Sequence, residues 1–160
     1  MAEGEFLFCG ESTHPVDAKK RVFVPKRLAM GLPLDSEGQR GGVLTPGTDG
    51  CLYLFPESGF TRAIGRLNTQ AYAPPQKRAL QRKLFKDAHR VSLDGSSRLL
   101  LPAALIAQAG IDKEAVFVGI MDRIEIWSPE GWAAEQARLD AETETIDRLL
   151  AGDAAGGGGI

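Results

Sequence analysis

The 160-residue sequence predicts an α+β fold made of a duplicated ββαββ-type unit, with a helical connector between the copies and a helix near the C-terminus. Three observations carry this expectation. The frame of "VDAKKRVFVP", residues 16–25, recurs as "LDGSSRLLLP", residues 93–102: an apolar residue, Asp, three variable residues, Arg, three apolar residues, Pro. Leu28 then falls on Leu105 at the same offset of 77 residues, and further on "CLYLFPESGF" aligns with "RIEIWSPEGW" at an offset of 72. Apolar periodicity finally gives each copy the order strand, turn, strand, short helix, strand, turn, strand, helix.

Each element has a local reason. "RVFV" and "RLLL" are continuous apolar runs after a turn-like segment, the pattern of strands covered on both faces. "VPKRLAMG" and "LPAALIAQAG" open with Pro25 and Pro102 and close with Gly31 and Gly110. Proline at the first helical position and glycine just past the end start and stop a short helix. "VFVGIMDRIEIW" breaks at Met121–Arg123 between two β-rich runs, which predicts a hairpin. Ser128 is a good N-cap, Pro129 suits the first helical position, and Glu130 favours the positive end of the dipole.

A single helix from there to about Leu150 places Trp132, Leu139 and Ile146 seven apart. Gln136 and Thr143 make this stripe a weak coiled-coil seam, so it is expected to pack on the body or on a neighbouring subunit. Pro74 holds the chain extended and Pro75 starts "PQKRALQRKLFKDA", with Leu80 and Leu84 on one face and a basic face opposite. The division is residues 6–56 and 89–132 for the copies, 57–88 for the helical connector, 133–150 for the C-terminal helix and 151–160 for a glycine-rich, flexible tail.

Charge narrows the function. The net charge is −2 and the isoelectric point about 5.7, but the average conceals a polarised molecule. Residues 1–110 hold 15 Lys plus Arg against 10 Asp plus Glu, net +5; residues 111–160 hold 4 against 11, net −7. Cations cluster at Lys19, Lys20, Arg21, Lys26 and Arg27, and again at Lys77, Arg78, Arg82, Lys83, Lys86 and Arg90. No apolar run approaches the roughly 18 residues of a membrane-spanning helix, and the start lacks an export signal, so a cytoplasmic protein is expected. Cys9 and Cys51 stand far apart without metal-ligand spacing; they read as reduced thiols, with one disulfide as the alternative.

Catalytic signatures are missing. His14 and His89 lie in no nucleophile or metal motif, and no phosphate-cradling glycine loop occurs, so neither an enzyme nor a cofactor is expected. Asp17 and Asp94 read as structural, accepting backbone N–H groups of the turn and holding the Arg four residues on. Arg21 and Arg98 differ from them, because a held guanidinium still presents a fork to phosphate or to the guanine edge.

The doubled D-x-x-x-R frame, with "AVFVGIMDRIEIWSPEGW", closely resembles the MraZ family of bacterial transcriptional regulators, relatives of the AbrB-type swapped-hairpin DNA-binding fold. The resemblance runs from about Phe6 to Leu150. It implies an internal pseudo-dimer forming an AbrB-like swapped-hairpin barrel, protomers closed into a ring, and binding to double-stranded DNA with short direct repeats. Those repeats lie upstream of the cell-division and cell-wall operon, usually the regulator's own promoter, and such a protein is nucleoid-associated. By the resemblance Arg21 contacts DNA with Lys19 and Lys20 beside it, and Arg98 is the matching position; Lys26 joins them from the same basic zone. The family often has glycine just before the motif Arg, whereas this chain has Lys20 and Ser97, a cost of order 1 kcal/mol if the turn needs positive φ. The rival reading is a ring-forming scaffold whose basic zones hold an acidic partner protein.

Overall fold

The computed structural model describes residues 6–65 and 71–152. The first copy supplies β1 (Phe8–Pro15), β2 (Arg21–Phe23), α1 (Lys26–Ala29), β3 (Gly41–Pro46), β4 (Leu52–Phe55) and α2 (Glu57–Gly65). After α3 (Pro75–Lys86), the second supplies β5 (His89–Ser92), β6 (Arg98–Leu100), α4 (Ala103–Ala109), β7 (Glu114–Met121), β8 (Arg123–Trp127) and α5 (Pro129–Ala141). A last helix, α6 (Thr143–Leu150), follows. The expected order of elements therefore appears twice.

Neither copy pairs with itself alone. The main antiparallel sheet runs β1-β7-β8-β4-β3-β5, so β1 of the first copy lies on β7 of the second, and β5 of the second lies on β3 of the first. Exchanging the copies reverses this order onto itself, with the β4·β8 pair at the centre. Among the described residues the sheet is open and no closed barrel forms, and β2 and β6 make a separate two-stranded sheet. In that ribbon Val22 faces its own counterpart Leu99.

The alternation of side chains splits the core into two sides. On one side the ribbon's Val22, Val24, Leu99 and Leu101, with Leu28 of α1 and Leu105 of α4, cover Leu44, Leu52, Leu54, Phe117, Ile124 and Ile126 of the sheet. Leu28 and Leu105 are both fully buried, each worth about 1.5–3 kcal/mol of hydrophobic stabilisation. On the other side α2 brings Phe60 and Ile64 onto Val43 and Phe55, and Phe85 of α3 packs on Phe60 at 5.6 Å between ring centroids. The acidic α5 covers the same side at the far end, through Trp132 against Trp127 and a 2.6 Å bond from Trp132 Nε1 to Glu11.

Four expectations need correction. The runs "RVFV" and "RLLL" are covered on one face only: Val22, Val24, Leu99 and Leu101 are buried while Phe23 and Leu100 are 45% and 58% exposed. Among the described residues the ribbon's outer face is left largely open, with the His14 ring reaching Phe23 at 5.6 Å between centroids. The C-terminal helix is two helices, broken at Glu142, where the backbone opens to φ −102° and ψ 14° and the Thr143 hydroxyl turns back to the carbonyls of Leu139 and Asp140. Its apolar stripe is only half-buried at Trp132, Leu139 and Ile146.

Pro25 and Pro102 stand one residue before their helices, at the N-cap, their carbonyls accepting the first-turn bonds. Finally, Gly110 is the left-handed cap expected, but Gly31 is glycine for another reason. A Cβ there would lie 2.3–2.5 Å from the rings of Phe6 and Phe8. Ser128 caps α5 as predicted, accepting from Gly131 N–H at 2.9 Å. Both cysteines are free thiols, Cys51 buried and Cys9 exposed. Burial pushes the Cys51 thiol up to about 12. Residues 153–160 of the tail lie outside the described residues.

Candidate nucleic-acid interface

The two D-x-x-x-R turns are the same object built twice. In the first, Asp17 Oδ1 accepts from the backbone N–H groups of Lys19 (2.9 Å) and Arg21 (2.8 Å), and Asp17 Oδ2 accepts from Arg21 Nε at 2.9 Å. In the second, Asp94 Oδ1 accepts from Ser96 and Arg98 N–H, and Asp94 Oδ2 from Arg98 Nε, all at 2.9 Å. A carboxylate with two backbone donors and a guanidinium is held in its charged form. The Arg21 and Arg98 amides in turn lead in drawing the Asp17 and Asp94 carboxyls below the ordinary value.

The same bonds aim the arginines. Each spends only Nε on its aspartate, so among the described residues the two terminal nitrogens of each guanidinium are left for an outside acceptor. The turn that achieves this requires positive φ at the residue before the Arg, and Lys20 and Ser97 adopt it at 64° and 61°. The glycine-like conformation is thus kept without glycine.

The β2·β6 register decides where these groups stand. Arg21 pairs with Leu100 and Phe23 with Arg98, so Arg21, Phe23, Arg98 and Leu100 share the outer face of the ribbon. Because the strands are antiparallel, the two turns sit at opposite ends of it. Lys19 and Lys20 are exposed at the first turn. Lys26, adjacent in sequence to that cluster, is carried away by β2 to the other end, where Val24 N–H donates to the Ser97 carbonyl at 2.9 Å. So Lys26 neighbours the Asp94–Arg98 turn instead.

Several other cations have partners within the chain. Arg27 donates to the Cys9 carbonyl at 2.8 Å and Arg40 to that of Leu32 at 2.7 Å, roles with no signature in the sequence. In the second basic zone Arg78 donates to the Ala73 carbonyl, Lys86 pairs with Asp87 and Arg90 with Glu57. His14 packs against the rings of Phe23 and Phe117 with its Nε2 2.9 Å from Ser12 Oγ; burial and then Arg27 lower its pKa. His89 opens β5, its Nδ1 2.8 Å from the Asp87 carbonyl. Among the described residues no three His, Cys, Asp or Glu side chains come together as a metal site, and no helix is long and apolar enough to cross a membrane.

Fold and turns together define a duplicated α+β protein whose copies pair strands with one another and present two aspartate-held arginines on one ribbon. The family "MraZ protein, putative antitoxin-like" matches residues 84–151, which hold β5 to α6. The chain is 39% identical over 146 residues to "Transcriptional regulator MraZ" of Thermomicrobium roseum, covering 91% of this chain and 98% of that one. It is 40% identical to the protein of the same name from Symbiobacterium thermophilum, over 88% of this chain and 98% of that one. With that of Desulforamulus reducens it shares 35% over 88% and 94% respectively. The chain belongs to the MraZ family.

Proposed function

We propose that this protein is a sequence-specific, double-stranded DNA-binding transcriptional regulator and not an enzyme. The observation that carries the reading is the fixed presentation of Arg21: Asp17 grips Nε and leaves the terminal nitrogens forked outward on the ribbon face. Such a fork suits a phosphate or the O6 and N7 of guanine. Lys19 and Lys20 add charge beside it, Arg98 repeats the arrangement, and Lys26 adds a cation at that second turn. The relatives' name, transcriptional regulator, supports the same class.

In this reading residues 6–56 and 89–132 are the two repeats, 57–88 the connector, 133–150 the C-terminal helical segment and 151–160 a flexible tail. The pairing of β1 with β7 and of β5 with β3 supports a swapped-hairpin arrangement derived from a dimer. One turn neutralises few phosphates and alone gives weak, salt-sensitive binding. A ring of protomers turns each later contact into an intramolecular event, worth about a hundredfold or more where DNA repeats match the spacing. The family resemblance implies a target of that kind, a set of direct repeats upstream of the cell-division and cell-wall operon and including the protein's own promoter. The protein works in the cytoplasm at the nucleoid.

Fluorescence anisotropy against a duplex carrying its own upstream repeats and a scrambled duplex, across a salt series, tests this. Tighter binding to the repeats, lost in Arg21→Ala with assembly intact, is expected. Equal binding to both duplexes would reduce the basic turns to nonspecific charge, and no binding to either would favour a ring-forming scaffold.

A further inference from the structure

We propose that the acidic C-terminal helix α6 of one protomer seats its leucines in a groove between α2 and α3 of the next, a head-to-tail contact between molecules of this chain. The inference rests on the ring reading and deepens it by naming the two surfaces that meet. α6 is amphipathic: Ile146, Leu149 and Leu150 fall at i, i+3 and i+4 on one face, yet Leu149 and Leu150 are 61% and 82% exposed. A contiguous apolar helix face left in water is suited to lie in a groove of a partner. The groove, about 350 Å³, is lined by the buried Val43 and Phe60, the half-exposed Phe85, and Ala88, Thr61 and Arg90.

The internal duplication shows why the α6 face is left over. α3 follows α2 as α6 follows α5, and the offset of 72 sets Phe60 on Trp132. In the first half α3 folds back and places Phe85 on Phe60. In the second half the ring against Trp132 is Trp127 of the preceding strand, the helix breaks at Glu142, and α6 keeps its leucines exposed.

Charge selects the occupant. α3 carries Lys77, Arg78, Arg82, Lys83 and Lys86 and no acid, and Arg82, Lys83 and Lys86 are exposed on the helix that supplies Phe85 to the groove. Residues 129–150 hold six Asp plus Glu against Arg138 and Arg148. Both arginines are paired within the helices, Arg138 to Glu135 and Glu142 and Arg148 to Glu144. An apolar helix face flanked by carboxylates matches an apolar groove flanked by cations in both properties, whereas DNA matches only the cations. The two surfaces also belong to opposite ends of the sheet. α3 is tied to β3, its Leu84 carbonyl accepting from Thr45 Oγ1 at 3.2 Å, while α5, from which α6 continues, is tied to β1 through Trp132 and Glu11. Different patches at opposite ends make the contact heterologous, so that it repeats from protomer to protomer until a ring closes.

The test is the mass of the full chain in solution, by light scattering across a concentration series. Leu149→Ser with Leu150→Ser removes the helix face, Thr61→Glu sets a bulky acid at the groove, and Leu100→Ser removes a leucine of like exposure, 58%, from the ribbon. All these positions are exposed in the protomer, so circular dichroism and the urea midpoint should match those of the unaltered chain. The helix and groove variants are each expected to weaken assembly about tenfold or more, and Leu100→Ser to leave it unchanged. Mixing the helix variant with the groove variant is the decisive arm. Each keeps one intact surface, so the mixture should form a dimer and nothing larger. Blocked variants that stay monomeric on mixing would overturn the pairing of these surfaces, as would normal assembly by either variant alone. Loss of assembly in Leu100→Ser, with the other two normal, would place the contact on the ribbon. An unaltered chain that is monomeric at every concentration rejects the ring reading and this contact with it, whereas an assembly that the helix and groove variants do not disturb rejects the contact alone.

Discussion

Lys20 and Ser97 hold the same left-handed conformation at matching points of the two turns, and each gives its carbonyl to a strand of the other copy: Lys20 to Leu101 N–H and Ser97 to Val24 N–H, both at 2.9 Å. The conformation that costs energy locally is thus the one that extends the ribbon ladder. It also sets the following Arg onto its aspartate.

Substitution at these two positions separates backbone from charge. Ser97→Gly relieves roughly 1 kcal/mol of steric cost, partly offset by the freedom glycine adds to the unfolded chain, so its urea midpoint should rise slightly or hold. Lys20→Gly should do the same while weakening DNA binding, because a cation leaves the first turn. Lys20→Val forces a branched side chain into the left-handed region and should lose about 1–2 kcal/mol. An unchanged midpoint for Lys20→Val would contradict the turn geometry.

Acid should loosen both turns. Asp17 and Asp94 bind their protons more weakly in the folded protein than the ordinary 3.8, chiefly through the Arg21 and Arg98 amides, so the unfolded chain takes up more protons at low pH. Their stabilisation is complete above the unfolded value near 4 and disappears as pH falls through the lower folded values. Urea unfolding from pH 7 to pH 3 should therefore fall more steeply for the unaltered chain than for the Asp17→Asn, Asp94→Asn double variant. Parallel curves would show that the carboxylates do not hold the turns.

Gly119 of β7 tests the pairing of β1 with β7. A Cβ there would lie 2.3 Å from the Cys9 backbone nitrogen, so Gly119→Ala must push β1 from its place on β7. A loss of about 1–3 kcal/mol is expected, with hydrogen exchange faster first along Phe8–Pro15. Protection unchanged in β1 would refute the close approach.

Local chemistry alone determined much of this protein. Turn residues, prolines, the Ser128 cap and alternating apolar runs fix each element within a few neighbours, and a repeated frame shows by itself that the elements come twice. The Asp-Arg pairing within each turn was equally legible, since four residues of separation contain the whole interaction. Which strands pair was not. A strand's apolar face states that it needs a partner, but the choice of β7 over β3 for β1 is made by long-range packing of both copies at once. That choice opened the sheet instead of closing a barrel, and it left Phe23 and Leu100 on an uncovered face. It also moved Lys26 away from Lys20 to the end of the ribbon that carries the Asp94–Arg98 turn, because charge in a folded chain is grouped by strand register and not by sequence distance.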